Sequence, residues 1–132
     1  MGVKKVLVVE DDRAIRDMIV AVLAEAGYAV AAARNGAEGL ERCKRFGPDI
    51  VVLDLLMPEV DGFEFLKRRP VEGCEAPVVV MSAGFHRKAL PPDLAIDAFI
   101  EKPFAIETFL DTVAAHTADG DGGSRRRRMS QN

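Results

Sequence analysis

Short apolar runs that end abruptly at charged residues alternate along this chain with segments in which apolar residues return at three- and four-residue steps. Val6-Leu7-Val8-Val9 is β-branched and stops at Glu10, the pattern of a strand buried on both faces. From Asp12 onward the period changes. Ile15, Met18, Ile19, Val22, Leu23 and Ala26 mark the stripe of an amphipathic helix, with Gly27 as its stop signal. Tyr28 to Ala33 reads as a weaker strand. Asn35-Gly36 opens a second helix, which sets Leu40, Cys43 and Phe46 on one face and ends at Gly47-Pro48. Ile50-Val51-Val52-Leu53 is the third strand, and Phe63 to Arg69 a short helix halted by Pro70. Val78 to Met81 and Ala98 to Ile100 complete the strands. The last helix places Ile106, Phe109, Leu110, Val113 and Ala114 in register and fades at Thr117.

Strands alternating with helices predict an α/β fold. It is a doubly wound, five-stranded parallel sheet with flavodoxin-like strand order 2-1-3-4-5 and helices on both faces, because parallel strands need crossovers and helices supply them. In such sheets ligands bind beyond the carboxyl ends of the strands. The residues just past the apolar runs are Glu10, Asp11 and Asp12 after strand one, Asp54 after strand three, Ser82 after strand four and Lys102 after strand five.

The chain has 132 residues, enough for one domain, and 48% hydrophobic with 30% charged residues is close to the globular average. The expected folded part is 1–117. Residues 118–132 read as a disordered basic tail, in which Arg125 to Arg128 have nothing to bury against. The net charge of −3 includes those arginines, so the folded part is more acidic than the total. An acidic body argues against nucleic-acid binding, which requires a basic face. No apolar run approaches the ~20 residues that cross a bilayer, so membrane insertion is not expected. Cys43 and Cys74 are too few for a secreted disulfide scaffold and read as small apolar fillers or loop residues. A reducing cytoplasm is the default location. His86 and His116 lie near neither cysteine at zinc-like spacing.

Three or four carboxylates gathered at one sheet edge repel one another, and a hard divalent cation resolves that repulsion. Asp12 also suits the cap of the first helix. Lys102 adds a fixed positive charge and Ser82 a hydroxyl donor. Together they form the equipment of phosphoryl transfer, in which positioning and charge neutralisation dominate. Asp54, at the end of a central strand, is the carboxylate best placed to accept a phosphoryl group.

Val8-Val9-Glu10-Asp11-Asp12, Val52-Leu53-Asp54-Leu55-Leu56-Met57-Pro58 with Asp61-Gly62, Met81-Ser82-Ala83 and Lys102-Pro103-Phe104 together resemble the receiver domain of two-component response regulators. The likeness is to the stand-alone, chemotaxis-type regulators and covers about residues 3–117. It implies that Asp54 is the phosphoacceptor, charged by a histidine kinase, a phosphotransfer protein or a small phosphodonor. Asp11 would bind Mg2+ (or Mn2+) directly and Glu10 through water, with Asp54 and the Leu56 carbonyl completing the protein ligands. Lys102 would pair with Asp54 and then with the phosphoryl group. Ser82 and the backbone N–H groups of Leu56 and Ala83 would hold its other oxygens. Phe99 would turn inward as Ser82 moves, although an aromatic on a short strand is more usually plain core. The output would be a switched surface for an unknown downstream protein.

The chain departs from the family pattern between Ser82 and Lys102, which is about two residues short and carries Pro91-Pro92 where a helix is expected. Leu56 and Gly84 offer no polar side chain where a hydrolytic water would approach, and they are expected to help set the lifetime of the phosphorylated form. Three rival classes fit the residues less well. A haloacid-dehalogenase-type hydrolase resembles a pattern with a second acid two residues past the first, where this chain has Leu56. A flavin carrier needs a hydroxyl- and glycine-rich loop in place of Glu10-Asp11-Asp12. A phosphorylation-independent interaction module of receiver type would be expected to lack Asp54, Lys102 or the acid pair.

Overall fold

The computed structural model describes residues 2–55, 57, 61–83 and 95–117. Its elements are β1 (Lys5–Val9), α1 (Arg13–Glu25), β2 (Ala29–Ala33), α2 (Gly36–Phe46), β3 (Ile50–Asp54), α3 (Gly62–Arg68), β4 (Val78–Ser82), β5 (Ala98–Glu101) and α4 (Ile106–Thr117). All strand pairs are parallel, in the order β2-β1-β3-β4-β5. The expected fold class and strand order are therefore observed. The region of Pro91-Pro92, where the resemblance leads to the expectation of a helix, and the tail carrying Arg125 to Arg128 lie outside the described residues.

Side chains that alternate along each strand divide the interior in two. Leu7, Val9, Val51, Leu53, Val78 and Val80 point to one face, where they meet Leu40 and Cys43 of α2 and Phe65 and Leu66 of α3. Val6, Val8, Ile50, Val52, Val79 and Met81 point to the other, where they meet Ile19 and Leu23 of α1 and Phe109 and Val113 of α4. Strands β3 and β4 are buried along their whole length, which is why their sequences show no alternation.

Local chemistry sets the helix ends. Asp12 accepts a hydrogen bond from the Ile15 N–H at 3.0 Å, Asn35 from Glu38 at 2.8 Å and Asp61 from Glu64 at 3.0 Å, so each short polar side chain satisfies an otherwise unpaired first-turn donor. Helix α2 stops at Gly47, whose φ of 61° is left-handed and costs a glycine little.

Two helix stripes sit differently from the sequence pattern. In α1, Met18 is 40% exposed, while Ile19 and Leu23 carry the buried contact. In α4 the buried residues are Phe109, Val113 and Thr117, whereas Ile106 and Ala114 face outward. An i, i+4 seam is narrower than the full apolar stripe, and residues at the stripe's margin remain in solvent.

A larger correction concerns the cysteines. Cys43 and Cys74 are not separate fillers but a disulfide that joins α2 to the segment after α3. Cys43 lies one turn past Leu40 on the buried face of α2, and the turn following Arg69 carries Cys74 back against it.

Candidate functional site

Parallel register brings the carboxyl ends of four strands to one edge. Val9 pairs with Leu53, Asp54 with Met81, and Ser82 with Glu101. The ladder continues one residue beyond the strands on both sides, through Glu10 N–H to Ala33 O at 3.0 Å and Lys102 N–H to Ser82 O at 2.9 Å. Glu10, Asp54, Ser82 and Lys102 are therefore fixed by sheet geometry, not by loop conformation.

Carboxylate oxygens of Glu10, Asp11 and Asp54 lie within 4.8 Å of one another. Glu10 is 1% exposed and Asp54 5%, while Asp11 is open to solvent. The Lys102 ammonium reaches into this group, 3.0 Å from Glu10 Oε1 and 3.6 Å from Asp54 Oδ1. Its closer partner is thus Glu10, where the family resemblance pointed to Asp54. The second Glu10 oxygen accepts the Asp12 N–H at 3.2 Å. Asp12 spends its own carboxylate on the cap of α1 and leaves the acidic group with three members.

Arg16, which the sequence pattern did not single out, donates Nη1 to the carbonyls of Glu10 and Asp11 at 2.9 and 3.3 Å. It holds the backbone of the acidic loop without neutralising the carboxylates. Its signal in the sequence is a cation one turn into the helix that follows the acids. On the opposite side, Gly62 packs so closely that a Cβ there would sit 2.5 Å from Leu55 Cα and 2.6 Å from the Asp54 carbonyl oxygen. Only glycine lets α3 begin against the Asp54 backbone.

Ser82 is fully buried, and its hydroxyl donates to the Ala83 carbonyl at 3.3 Å. Phe99 is half-buried and packs against the α2/α3 core. The structure thus gathers Glu10, Asp11, Asp54 and Lys102 at one edge, with Ser82 at the end of the adjoining strand. Leu56, expected to contribute a carbonyl and an N–H, and Gly84 lie outside the described residues. A groove of about 320 Å3, lined by Ile15, Met18, Ala83, Lys102, Pro103 and Phe104, borders the pocket. Among the described residues no helix is long and apolar enough to cross a membrane.

A parallel five-stranded sheet with an acid trio and a lysine at its carboxyl edge defines a class, and comparison with known proteins identifies it. The family model described as the response regulator receiver domain matches residues 6–114. The chain belongs to that family, whose members are signalling proteins of two-component systems and not enzymes in the ordinary sense. It is 35% identical to the response regulator MprA of Mycobacterium leprae over 113 residues, 84% of this chain and 50% of that protein. It is 34% identical to MprA of Mycolicibacterium vanbaalenii over 131 residues, 96% and 57% of the two chains. The chain thus spans about half the length of the curated relatives it matches. Among solved structures, the receiver domain of a Francisella response regulator is similar with a TM-score of 0.81 and 28% identity, covering 89% of this chain and 99% of that one. A chemotaxis response regulator of Vibrio cholerae is similar with a TM-score of 0.78 and 29% identity, covering 87% and 99%.

Proposed function

We propose that Asp54 accepts a phosphoryl group from the phosphohistidine of a histidine kinase or phosphotransfer protein, or from a small phosphodonor, and that the modified chain presents an altered surface to a downstream protein. The observation that carries this reading is the position of Asp54. It is a carboxylate at the end of a central strand, 5% exposed, beside two further carboxylates and 3.6 Å from an ammonium. An Asp54 oxygen attacks phosphorus as the bond to the imidazole nitrogen breaks, and the electron pair of that bond stays with the imidazole. Charge spreads over the phosphoryl oxygens in the loose transition state. Lys102 then exchanges a carboxylate partner for a phosphoryl oxygen, and the buried Ser82 hydroxyl turns from the Ala83 carbonyl to another. The N–H of Ala83 and that of Leu56 serve the remaining charge. Movement of Ser82 frees space into which Phe99 turns, and this relays the event toward β5.

The donor set suits a hard divalent cation. Its oxygens are all carboxylate, three such charges face one ammonium, and Asp11 leaves a solvent-open side for retained waters. Glu10, Asp11 and Asp54 would hold Mg2+ (or Mn2+), together with the Leu56 carbonyl. When bound, the ion supplies the positive charge that lets an anionic donor approach an anionic acceptor. The apolar groove beside Lys102 offers a protein donor a docking ledge next to Asp54.

Incubation with acetyl phosphate and Mg2+, followed by intact mass, tests the reading. The expected result is one added phosphoryl group on the wild type, none on Asp54→Ala and none after chelation. No gain on the wild type, or an equal gain on Asp54→Ala, overturns it and favours a phosphorylation-independent interaction module.

A further inference from the structure

The Cys43–Cys74 bond lies in the core on the α2/α3 face, with its residues 5% and 1% exposed, and it pairs the chain's two cysteines. Disulfides serve as permanent staples chiefly where a small domain cannot build a sufficient core. This domain has two full cores, one on each face of a five-stranded sheet, so the bond is not needed to compensate for a missing interior.

The location of the bond gives it another use. Cys74 is wired to Arg69 in both directions: its N–H donates to the Arg69 carbonyl at 2.8 Å, and its carbonyl accepts from Arg69 Nη1 at 3.1 Å. The same guanidinium reaches the carbonyls of Ala76 at 2.7 Å and Ala95 at 3.4 Å, while its buried Nε has no hydrogen-bond partner. Ala95 precedes Asp97, which exchanges two hydrogen bonds with Val78 at the start of β4. The position of Cys74 therefore reaches, through one buried side chain, the entries to β4 and β5. In contrast, the turn that carries Cys74 has few apolar anchors of its own, since Val71 is 91% exposed and Gly73 has φ 83°. Among the described residues its other ties to the body include the Glu72 N–H donated to the Arg68 carbonyl at 3.1 Å and the charge pairs of Glu72 with Arg68 and Lys44.

We propose that Cys43–Cys74 is a thiol–disulfide switch, opened by exchange with a dithiol reductant and closed by a disulfide oxidant, which sets the order of residues 69–76 and 95–99. In opening, the turn that carries Cys74 first lifts locally from α2 and uncovers the bond, and a reductant thiolate then attacks Sγ of Cys43, the less buried of the pair. The sulfur–sulfur bond breaks, and its electron pair leaves on Cys74 Sγ, which takes up a proton. The second reductant thiolate then attacks the mixed disulfide, Cys43 leaves as a thiolate and is protonated, and the reductant departs as a disulfide. Two electrons and two protons have passed to the protein. The two thiols then require van der Waals separation where a bond had been, and the turn that carries Cys74 is the part free to yield. The proposal does not depend on phosphorylation of Asp54.

The test uses the full chain, air-oxidised, then treated with dithiothreitol, then with oxidised glutathione. Alkylation and intact mass count thiols at each step, and amide hydrogen exchange follows residues 69–76 and 95–99. The expected thiol count is none, two, then none. Exchange in both segments is expected to accelerate about tenfold or more in the reduced form, with β1 amides unchanged. Cys43→Ala/Cys74→Ala should exchange like the reduced wild type whatever the reagent; the wild-type comparison stands alone should that variant not fold. A bond that resists dithiothreitol, thiols that do not reclose, or exchange indifferent to reduction each overturn the proposal.

Discussion

On one face of the sheet Leu7, Val9, Val51 and Leu53 meet the residues of α2 and α3; on the other Val6, Val8, Ile50 and Val52 meet those of α1 and α4. The apolar chemistry is nearly the same. The second core is closed by packing alone, including the Phe104–Phe109 stack at 5.4 Å. The first is closed by packing and a covalent bond, and through Gly62 it touches the backbone of Asp54. The acidic pocket lies at the strand ends between the two. A change in the first core can therefore reach the site from beneath, whereas the second meets it through Lys102 and the first turn of α1. Cores that look equivalent by composition thus differ in what else they are connected to.

The largest effect is expected from removing one large ring from each core. Phe65→Ala and Phe109→Ala should each cost about 3–5 kcal/mol of stability in urea unfolding, since both rings are fully buried. Combined with Cys43→Ala/Cys74→Ala, the Phe109 change should add within about 0.5 kcal/mol. The Phe65 change shares a cluster with the cysteines and should depart from additivity by about 1 kcal/mol or more. Equal coupling for both rings would mean that the sheet transmits the loss, and that the two faces are not independent.

Much of this division was legible in the sequence. Apolar runs ending at Glu10, Asp54, Ser82 and before Lys102 dictate both the sheet and the edge where chemistry collects, because strand direction leaves those residues no other place. The stripe margins at Met18, Ile106 and Ala114 were not legible, since periodicity marks an apolar sector without saying how wide the partner surface is. The pairing of Cys43 with Cys74 was not legible either. A separation of 31 residues carries no geometry until the face of α2 and the path of the turn after Arg69 are known. Lys102 shows the same limit at the site itself, because its choice between Glu10 and Asp54 rests on a difference of 0.6 Å between side-chain positions.

A smaller effect is expected at Arg69, the node of the first face. Burial pushes its guanidinium below its ordinary pKa, opposed by Asp97 and Glu75. Arg69→Met removes the charge but strands the carbonyls of Cys74, Ala76 and Ala95, and a loss of about 2 kcal/mol is expected in urea unfolding. An unchanged midpoint would remove Arg69 as the link between the disulfide and β5.

The smallest effect lies at the surface of the same face. The hydrogen bond from Arg68 holds the Glu72 carboxyl below its ordinary range, with Lys44 assisting. A carboxylate lowered in the folded state contributes stability that is fully present above its unfolded value of about 4.3 and is lost as pH falls through the lower folded value. Glu72→Gln should therefore be slightly less stable than the wild type at pH 7, with the difference closing as pH falls below the unfolded value of about 4.3. A gap that persists in acid would assign the contribution to packing instead of charge.

The bond between residues 43 and 74 closes a ring of chain that contains β3, Asp54 and α3. Drawn out from its two ends, the oxidised molecule cannot release that ring. An extended chain gains about 3.4 Å per residue, so the 31-residue span withholds roughly 100 Å of reach until the sulfurs part. Mechanically, the segment that carries Asp54 is sheltered from tension in one redox state and exposed to it in the other.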